Sequence, residues 1–480
     1  MRGLKPVFCS DNPVLFNVKG ALHVDKTGAD DYQSNFFNVA KEFFLIILVI
    51  LIVVPFMRKI DKNPFHGDEA YWLRSSIQYK LFFIDRALDS KEFGRCRNEP
   101  VGKYIIGLVL HVAGYGDRIE ELGRIEPWKF DKDYKWNVDN QRMPPSELRS
   151  VVRFAMALFG VLICVLIYWI GRIVCSMKAG IIASLLLAYN PLMQLCCKRA
   201  MPDAPLLLFM TATVILSIYF YRSLVTQRNL RTLILATVIG VNCALAAGTK
   251  LNGGLSVFIF ALFCMYLIVV KSSFYSYTKE KYFERIIKLG KDKEVKSILA
   301  GLLIGCITTI AVLIGMTPCL YRQPVNGIVQ MVDVRTEHIH IQRTNKWGTS
   351  LDTLSKKFNS VVRQTLFPKN YVILGTLFNF PVDFILFLLG LVLLIYSEVK
   401  YLLSNSRAAL QSIVILWAVV TCTGITVWIP LSYPRYYLPI LPCIVIVEGY
   451  CIARIYDSIV IFIKRRLISS TAGMSAGLEG

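Results

Sequence analysis

The sequence has few charged residues for its length. Of its 480 residues, 18% are charged and 55% are hydrophobic, and the mean hydropathy is +0.50. Soluble domains typically contain about 25% charged residues. The long uncharged runs that recur along the chain therefore favour a polytopic α-helical membrane protein. These runs are continuous rather than alternating, which is not the pattern of a membrane β-barrel.

Other common features are also missing. The thirteen cysteines lack paired spacings, and most of them lie in apolar runs, where they are expected to act as small buried hydrophobic residues. The first forty residues show no pattern of a cleavable signal peptide, so we expect the first apolar run to be an uncleaved signal-anchor. The net charge of +21 arises largely from lysines and arginines in short loops, where they indicate topology rather than nucleic-acid binding.

Ten apolar runs are suitable for membrane spans. A shorter run at 103–114 is interpreted as a juxtamembrane or re-entrant helix. The sequence thus predicts an all-α fold with about 10–12 transmembrane helices and further juxtamembrane helices in long external loops. We expect a cytoplasmic segment at 1–42, a membrane domain at 43–456 and a cytoplasmic tail at 457–480. The ten runs lie near 43–57, 152–170, 180–197, 204–221, 231–248, 253–270, 298–316, 379–397, 410–430 and 437–456.

The distribution of basic residues predicts which loops share a side of the membrane. One set of alternate loops carries consistent positive charge, as cytoplasmic loops do. The opposite set holds most of the residues suited to chemistry, and two of its loops are long enough to be functional. We therefore expect an active site on the lumenal, periplasmic or extracellular side. The loops of this set are 58–151, 198–203, 249–252, 317–378 and 431–436.

Two adjacent carboxylates follow the first span in the segment His66-Gly67-Asp68-Glu69. A carboxylate at the membrane interface can meet a lipid head group and a polar acceptor together, and can serve as a general base. Asp68 and Glu69 are therefore the predicted catalytic residues. The alternative is that they are solvated charges at the end of a span.

Four cations in the same set of loops are candidates for binding a donor phosphate. Arg435 opens the last span among tyrosines, Lys103 lies four residues after Glu99, and Arg322 and Lys250 lie in two other loops. A lysine or arginine at an interface can bind a lipid phosphate as a fixed charge. The alternatives are membrane anchoring for Lys103, an aromatic belt around Arg435 and a plain tight turn at Lys250.

The remaining polar candidates have weaker patterns. Asp203 stands at the start of an apolar run, where it would either face a substrate or serve only as an N-terminal cap. His338 and His340 would share a face only in an extended segment, and with Glu337 they are too few and too loosely spaced for a metal site. No metal or other cofactor is predicted.

In order along the chain, these segments resemble the GT-C membrane glycosyltransferases, in the branch of the protein O-mannosyltransferases and the lipid A aminoarabinose transferases. Each segment alone has low specificity, but their order and their common side are more specific. The resemblance covers about residues 43–456. It rests on the Asp-Glu pair after the first span, a Pro-Gly-Lys segment at 100–103, an arginine opening the second span (Arg149 or Arg153), "RAMPDAPLLLF" at 199–209, a Thr-Lys turn at 249–250, "PCLY" at 318–321 and "RYYLPILP" at 435–442.

The resemblance implies a sugar donor carried on polyprenyl or dolichyl phosphate and an external acceptor of unknown type, either protein, glycolipid or polymer. It implies direct displacement with inversion, with Asp68 as the base and Arg435 and Lys103 next to the leaving phosphate. The substrate-binding candidates are His66, Glu99, Asp203, Tyr321, Tyr436 and Tyr437.

The sequence departs from that family in two places. Glu99-Pro100-Val101 stands where members often have His-Pro-Pro or Lys-Pro-Pro, so a carboxylate replaces a cation near the donor. The loop 317–378 is too short for the β-rich external domain of eukaryotic protein O-mannosyltransferases. Two alternative functions remain, a transporter or lipid flippase and a non-catalytic GT-C relative. A carrier would place polar residues within its spans, whereas here they gather at the external loops.

Overall fold

The computed structural model describes residues 45–93, 99–275, 291–344, 350–367, 374, 379–405 and 407–476. The predicted cytoplasmic segment 1–42 and the last four residues of the predicted tail lie outside these ranges. By its internal contacts the chain divides into Met1–Leu48 and Val49–Gly480. All contacts discussed below lie within the second unit.

The described chain is built from α-helices joined by short turns. Seventeen of these helices are numbered here in chain order. They are α1 Leu45–Met57, α2 Gly67–Arg74, α3 Val101–Leu110, α4 Ile119–Arg124, α5 Tyr134–Asp139, α6 Ser146–Val174, α7 Met177–Tyr189, α8 Pro191–Cys197, α9 Asp203–Val225, α10 Asn229–Thr249, α11 Leu255–Tyr275, α12 Lys293–Gly315, α13 Pro324–Thr344, α14 Leu354–Leu366, α15 Val382–Asn405, α16 Gln411–Trp428 and α17 Leu441–Ala476.

The predicted all-α membrane architecture is confirmed. In the described residues, eight helices are long and apolar enough to cross a membrane, and a ninth span arises if α7 and α8, bent by 62°, count as one. The bend follows from Asn190 and Pro191, because the Asn190 side chain caps α8 and proline fits the first turn of a helix. Helix α1 is apolar but shorter. The last helix continues to Ala476, beyond the predicted end of the last span at 456.

The short apolar run at 103–114 does not form a span. Helix α3 contains ten residues, about 15 Å at 1.5 Å per residue, which is half the thickness of the hydrocarbon core. A wider turn over His111–Tyr115 follows, with Gly114 at a φ of 85°, a conformation that favours glycine. The prediction that this run lies outside the set of spans is confirmed.

Glycines allow the spans to approach each other closely. A Cβ atom at Gly240 of α10 would lie 2.5 Å from the carbonyl oxygen of Gly305 on α12. Thr309 donates a hydrogen bond to the Gly240 carbonyl at 3.1 Å across the same contact. Small residues at such contacts are typical of helix packing in membranes, where dispersion and interhelical hydrogen bonds replace the hydrophobic effect.

The spans contain more buried charge than the sequence analysis expected. Asp383 at the start of α15 and Glu448 in α17 are 4% and 3% exposed. Glu398, near the end of α15, accepts hydrogen bonds from the backbone N–H groups of Ala409 and Ser412, which lie at the start of α16. Glu398 therefore satisfies backbone donors at a helix start, as a capping group does.

Candidate active site

All five loops predicted to share one side of the membrane contribute to one cavity of about 270 Å³. They therefore lie at the same end of the helix bundle. Three acidic side chains and three lysine or arginine side chains line the cavity: Asp68, Glu99, Asp203, Lys250, Arg335 and Arg435. Aromatic residues complete the wall, among them Trp72, Trp428 and Tyr436.

Asp68 is positioned by the first turn of α2. His66 is the N-cap of this helix: its Nδ1 accepts a hydrogen bond from the Asp68 backbone N–H at 3.2 Å, and its own N–H donates to Glu69 Oε1 at 2.9 Å. This reciprocal arrangement is a capping box, with histidine in the usual place of serine or threonine. It directs the Asp68 side chain into the cavity, where the carboxylate forms an ion pair with Arg435.

The charge state of Asp68 is set by two opposing effects. Burial raises the pKa of the carboxyl. The charge of Arg435 and its hydrogen bond lower that pKa, and the pKa of Asp68 in the folded protein lies below the ordinary value. Asp68 is therefore ionised at neutral pH. Burial lowers the pKa of His66, which outweighs the opposing effect of Asp68, so the imidazole is neutral and Nδ1 is free to accept the capping hydrogen bond.

Glu69 lies outside the cavity, although the sequence analysis grouped it with Asp68 as catalytic. Its carboxylate is fully buried and accepts two hydrogen bonds from Arg153 of α6, each at 2.7 Å. It also accepts from the backbone N–H of Ala200 at 2.9 Å. Each oxygen thus has two partners, and the side chain joins α2 to α6 and to the loop before α9.

A second ion pair lines the cavity beside the first. Asp203 begins α9, Lys250 follows the end of α10, and the Lys250 Nζ to Asp203 Oδ1 distance is 2.5 Å. Pro202 rather than Asp203 is the N-cap residue of α9, and the Asp203 carboxylate pairs with Lys250. The loop that precedes α9 lies very close to α3, because a Cβ atom at Gly102 of α3 would lie 2.7 Å from Pro202 of that loop.

Glu99 and Lys103 occupy different environments. Glu99 lines the cavity, and its carboxyl is hydrogen bonded to the backbone of Leu251, next to Lys250. Burial raises the pKa of Glu99 above its ordinary value despite the opposing charges of Arg335 and Lys103. Lys103 does not line the cavity: it is 4% exposed and its Nζ donates to Gln78 Oε1 at 3.2 Å.

The other candidates from the sequence are divided between the cavity and its surroundings. Tyr436 lines the cavity, and the Arg435 guanidinium lies 5.6 Å from its ring. Tyr437 is buried away from the cavity, with its hydroxyl hydrogen bonded to Ser360. The Tyr321 hydroxyl donates to the Gly315 carbonyl at 2.7 Å. The Arg322 side chain is 91% exposed and lies 3.7 Å from Asp89. His66 acts through the cap rather than by lining the cavity.

Helix α13 supplies a wall of the cavity that the sequence analysis did not assign. Arg335, His338 and Gln342 line the cavity together with Met331. Their spacing of four, three and four residues places them on one face of a helix. That spacing was the available signal, but it is informative only if 331–342 is helical. His340, two residues after His338, points away from this face.

Residues 91–308, less than half of the chain, match the family model for dolichyl-phosphate-mannose-protein mannosyltransferases. This match includes Glu99, Asp203 and Lys250 but not Asp68 or Arg435. No curated protein sequence matches the chain significantly.

Solved membrane glycosyltransferases share the architecture. ArnT from Cupriavidus metallidurans bound to undecaprenyl phosphate is 14% identical, with 86% of this chain and 60% of that chain aligned and a TM-score of 0.50. The Archaeoglobus fulgidus oligosaccharyltransferase tethered to an acceptor peptide is 13% identical, with 88% and 51% aligned and a TM-score of 0.50. This chain has the GT-C fold. Its residues 91–308 resemble the dolichyl-phosphate-mannose-protein mannosyltransferases, and the predicted resemblance is confirmed.

The Saccharomyces cerevisiae Pmt1–Pmt2 complex bound to the sugar donor also matches, at 17% identity over 57% of this chain and 34% of that chain, with a TM-score of 0.37. This GT-C chain spans about half to 60% of the length of the first structures that it matches. The family model that matches residues 91–308 is that of a glycosyltransferase, the class of enzyme that the sequence predicts.

Proposed function

We propose that this GT-C chain transfers a sugar from a polyprenyl- or dolichyl-phosphate carrier to an acceptor, with Asp68 as the general base. The observation that carries the proposal is the Asp68–Arg435 ion pair, which sets a carboxylate and a guanidinium side by side in one cavity of a membrane protein. The carboxylate suits an acceptor that must lose a proton. The guanidinium suits a leaving group that is a phosphate.

The chemistry requires one base and no acid. The acceptor oxygen attacks the anomeric carbon, its proton passes to Asp68, and the bond from that carbon to the phosphate oxygen breaks. The phosphate leaves with the electron pair and needs no protonation, while Arg435 stabilises its growing charge. The transition state is oxocarbenium-like, so a nearby carboxylate also favours it. Direct displacement inverts the configuration of the sugar.

The ion pair also suggests how donor binding activates the base. Arg435 holds the pKa of Asp68 below its ordinary value, which makes the carboxylate a weak base. When a donor phosphate takes the guanidinium as its partner, Asp68 loses a lowering effect while burial continues to raise its pKa. Asp68 is thus a stronger base when a donor is bound than it is in the donor-free protein.

The donor class and the side of the membrane have separate support. ArnT from Cupriavidus metallidurans, which shares the fold, is described as bound to undecaprenyl phosphate. The apolar spans around the cavity suit a donor that is dissolved in the membrane. The basic loops at the opposite end of the bundle favour a cytoplasmic location for that end, so the cavity faces the lumen, periplasm or exterior.

The test is transfer of labelled sugar in reconstituted membranes. Full-length protein is supplied with undecaprenyl- or dolichyl-phosphate sugars and with host membrane fractions as the source of acceptor. We expect Asp68→Asn to lower the rate at least about a hundredfold, in line with the contribution of a general base. Asp131→Asn, an exposed aspartate of the same loop, is the matched control and should retain the wild-type rate. Transfer by folded Asp68→Asn at the wild-type rate would exclude Asp68 as the base.

A further inference from the structure

The cations of the cavity differ in how far their charge is already neutralised. Arg435 is paired with Asp68, and Lys250 is paired with Asp203. Arg335 is the third cation that lines the cavity, and the described part of the chain offers it no carboxylate within 4 Å. A phosphate that approaches either ion pair meets a directly paired carboxylate as well as a cation, whereas at Arg335 it meets a cation without such a pair in the described residues.

Glu99 is a carboxyl of the cavity that Arg335 affects electrostatically, and burial disfavours its charged form. Glu99 interacts electrostatically with Arg335, and its pKa is raised above the ordinary value by burial. Burial thus opposes the ionised form of the carboxyl that faces Arg335 across the cavity. The Glu99 carboxyl is hydrogen bonded to its own backbone and to that of Leu251, so Glu99 is held beside the turn at Lys250.

Helix α13 presents two different faces around this arginine. On the cavity side, His338 and Gln342 follow Arg335 at helical spacing, and the Gln342 Oε1 is buried without a hydrogen-bond partner in the described chain. On the outer side, Val325 and Val329 are 71% and 52% exposed. A helix with an apolar outer face and, on its cavity side, a cation without an ion pair suits a ligand that has an anionic head and a hydrocarbon tail.

We infer that Arg335 binds the phosphate of the lipid-linked donor, with His338 and Gln342 beside it on α13. This inference rests on the proposed function and refines it, because it moves the principal phosphate contact to a residue outside the motifs of the sequence. Arg435 then acts at the bond that breaks, while Arg335 holds the donor before and during the reaction. Arginine suits this role because its planar guanidinium binds phosphate oxygens in pairs.

The experiment measures binding of two lipids that differ only in the phosphate. Full-length protein in detergent micelles is titrated with undecaprenyl phosphate and with undecaprenol, and binding is followed by native mass spectrometry. For Arg335→Gln we expect the Kd for undecaprenyl phosphate to rise about tenfold or more, the equivalent of one charge-assisted hydrogen bond. Undecaprenol binding should not change. Arg335→Lys should recover part of the affinity, and Arg124→Gln, which removes an exposed arginine, should bind as the wild type does.

Each other outcome overturns a definite part of the inference. An unchanged Kd for undecaprenyl phosphate in Arg335→Gln excludes Arg335 as the phosphate contact, and leaves the proposed function intact if Asp68→Asn still abolishes transfer. Equal weakening of undecaprenol shows that Arg335 acts on the tail or on the fold of α13. Competition by inorganic phosphate at the same concentration as the lipid points to a site for free phosphate. Failure of the wild type to bind undecaprenyl and dolichyl phosphates would contradict the proposed function as well.

Discussion

Asp68 and Arg435 form an ion pair across 367 positions of the chain, which joins the helix after the first span to the turn that opens the last span. Arg435 is placed by the short helix Pro434–Ile440, whose proline fits the first position of a helix. The pair brings base and cation together only because α2 and this turn fold over the same cavity. In the proposed mechanism, proton removal and phosphate departure are thereby coupled at one point.

The first prediction concerns Glu69, whose buried pairing with Arg153 lies behind the proposed catalytic carboxylate of Asp68. Glu69→Gln should destabilise the protein by about 3–5 kcal/mol, because it leaves Arg153 as a buried charge without its carboxylate. Arg153→Met should also destabilise the protein. The destabilisation of the double variant should be smaller than the sum of the two single effects. Thermal unfolding in detergent measures all three.

A matched control is the exposed pair of Arg118 and Glu147, which is formed in the same loop region. Glu147→Gln should leave the melting temperature nearly unchanged, since exposed ion pairs contribute little. Equal melting temperatures for Glu69→Gln and Glu147→Gln would contradict the structural role given to Glu69. Glu69 would then return as a candidate for direct participation in catalysis.

The second prediction concerns the glycine before Asp68. A Cβ atom at Gly67 would lie 2.7 Å from Phe130 Cε1 and 2.7 Å from Trp128 Cδ1, too close for either ring to remain in place. Gly67→Ala should therefore displace the start of α2, and with it Asp68, and reduce the transfer rate by about tenfold or more. Rates and melting temperatures would be measured in parallel.

Gly254 is the control for this substitution. It lies close to the cavity in the turn Leu251–Gly254, and a Cβ atom there has no neighbour within 4 Å. Gly254→Ala should keep both activity and stability. If Gly254→Ala loses as much activity as Gly67→Ala, the loss follows from replacing any glycine of these loops. The contact with Phe130 and Trp128 would then not be its cause.

The third prediction is a dependence of stability on pH that arises from Glu99. Burial raises the pKa of this carboxyl above 4.5 in the folded protein, so the folded state binds the proton more tightly than the unfolded state. The resulting stability is present below pH 4.5 and is lost as pH rises through the folded-state pKa. Glu99→Gln removes this loss, so its melting temperature should fall less between pH 4.5 and neutrality than that of the wild type.

Glu126→Gln serves as the control, because the Glu126 side chain is 70% exposed and its substitution should leave the pH profile of the wild type. Parallel profiles for the wild type and Glu99→Gln would show that the folded protein does not perturb Glu99. Burial would then not oppose the charge of the carboxylate near Arg335.

Much of this architecture is determined locally and can be predicted from the sequence. Apolar runs of sufficient length must form helices in a membrane, since the backbone has no other partners there. The side shared by the five loops follows from the positions of lysines and arginines, and these loops meet at one cavity. The placement of Asp68 just after the first span and of Arg435 at the start of the last span was predicted on the same basis.

The tertiary structure decided the division of roles between similar residues. Asp68 and Glu69 are neighbours in sequence, but successive helical residues point about 100° apart, so one carboxylate enters the cavity and the other pairs with Arg153. Lys103 was a candidate for phosphate binding, yet its side chain is buried against Gln78. Arg335 lies in no recognised motif, and only the helical path of α13 brings it to the cavity. Such partners are far apart in the chain, so no local pattern could assign them.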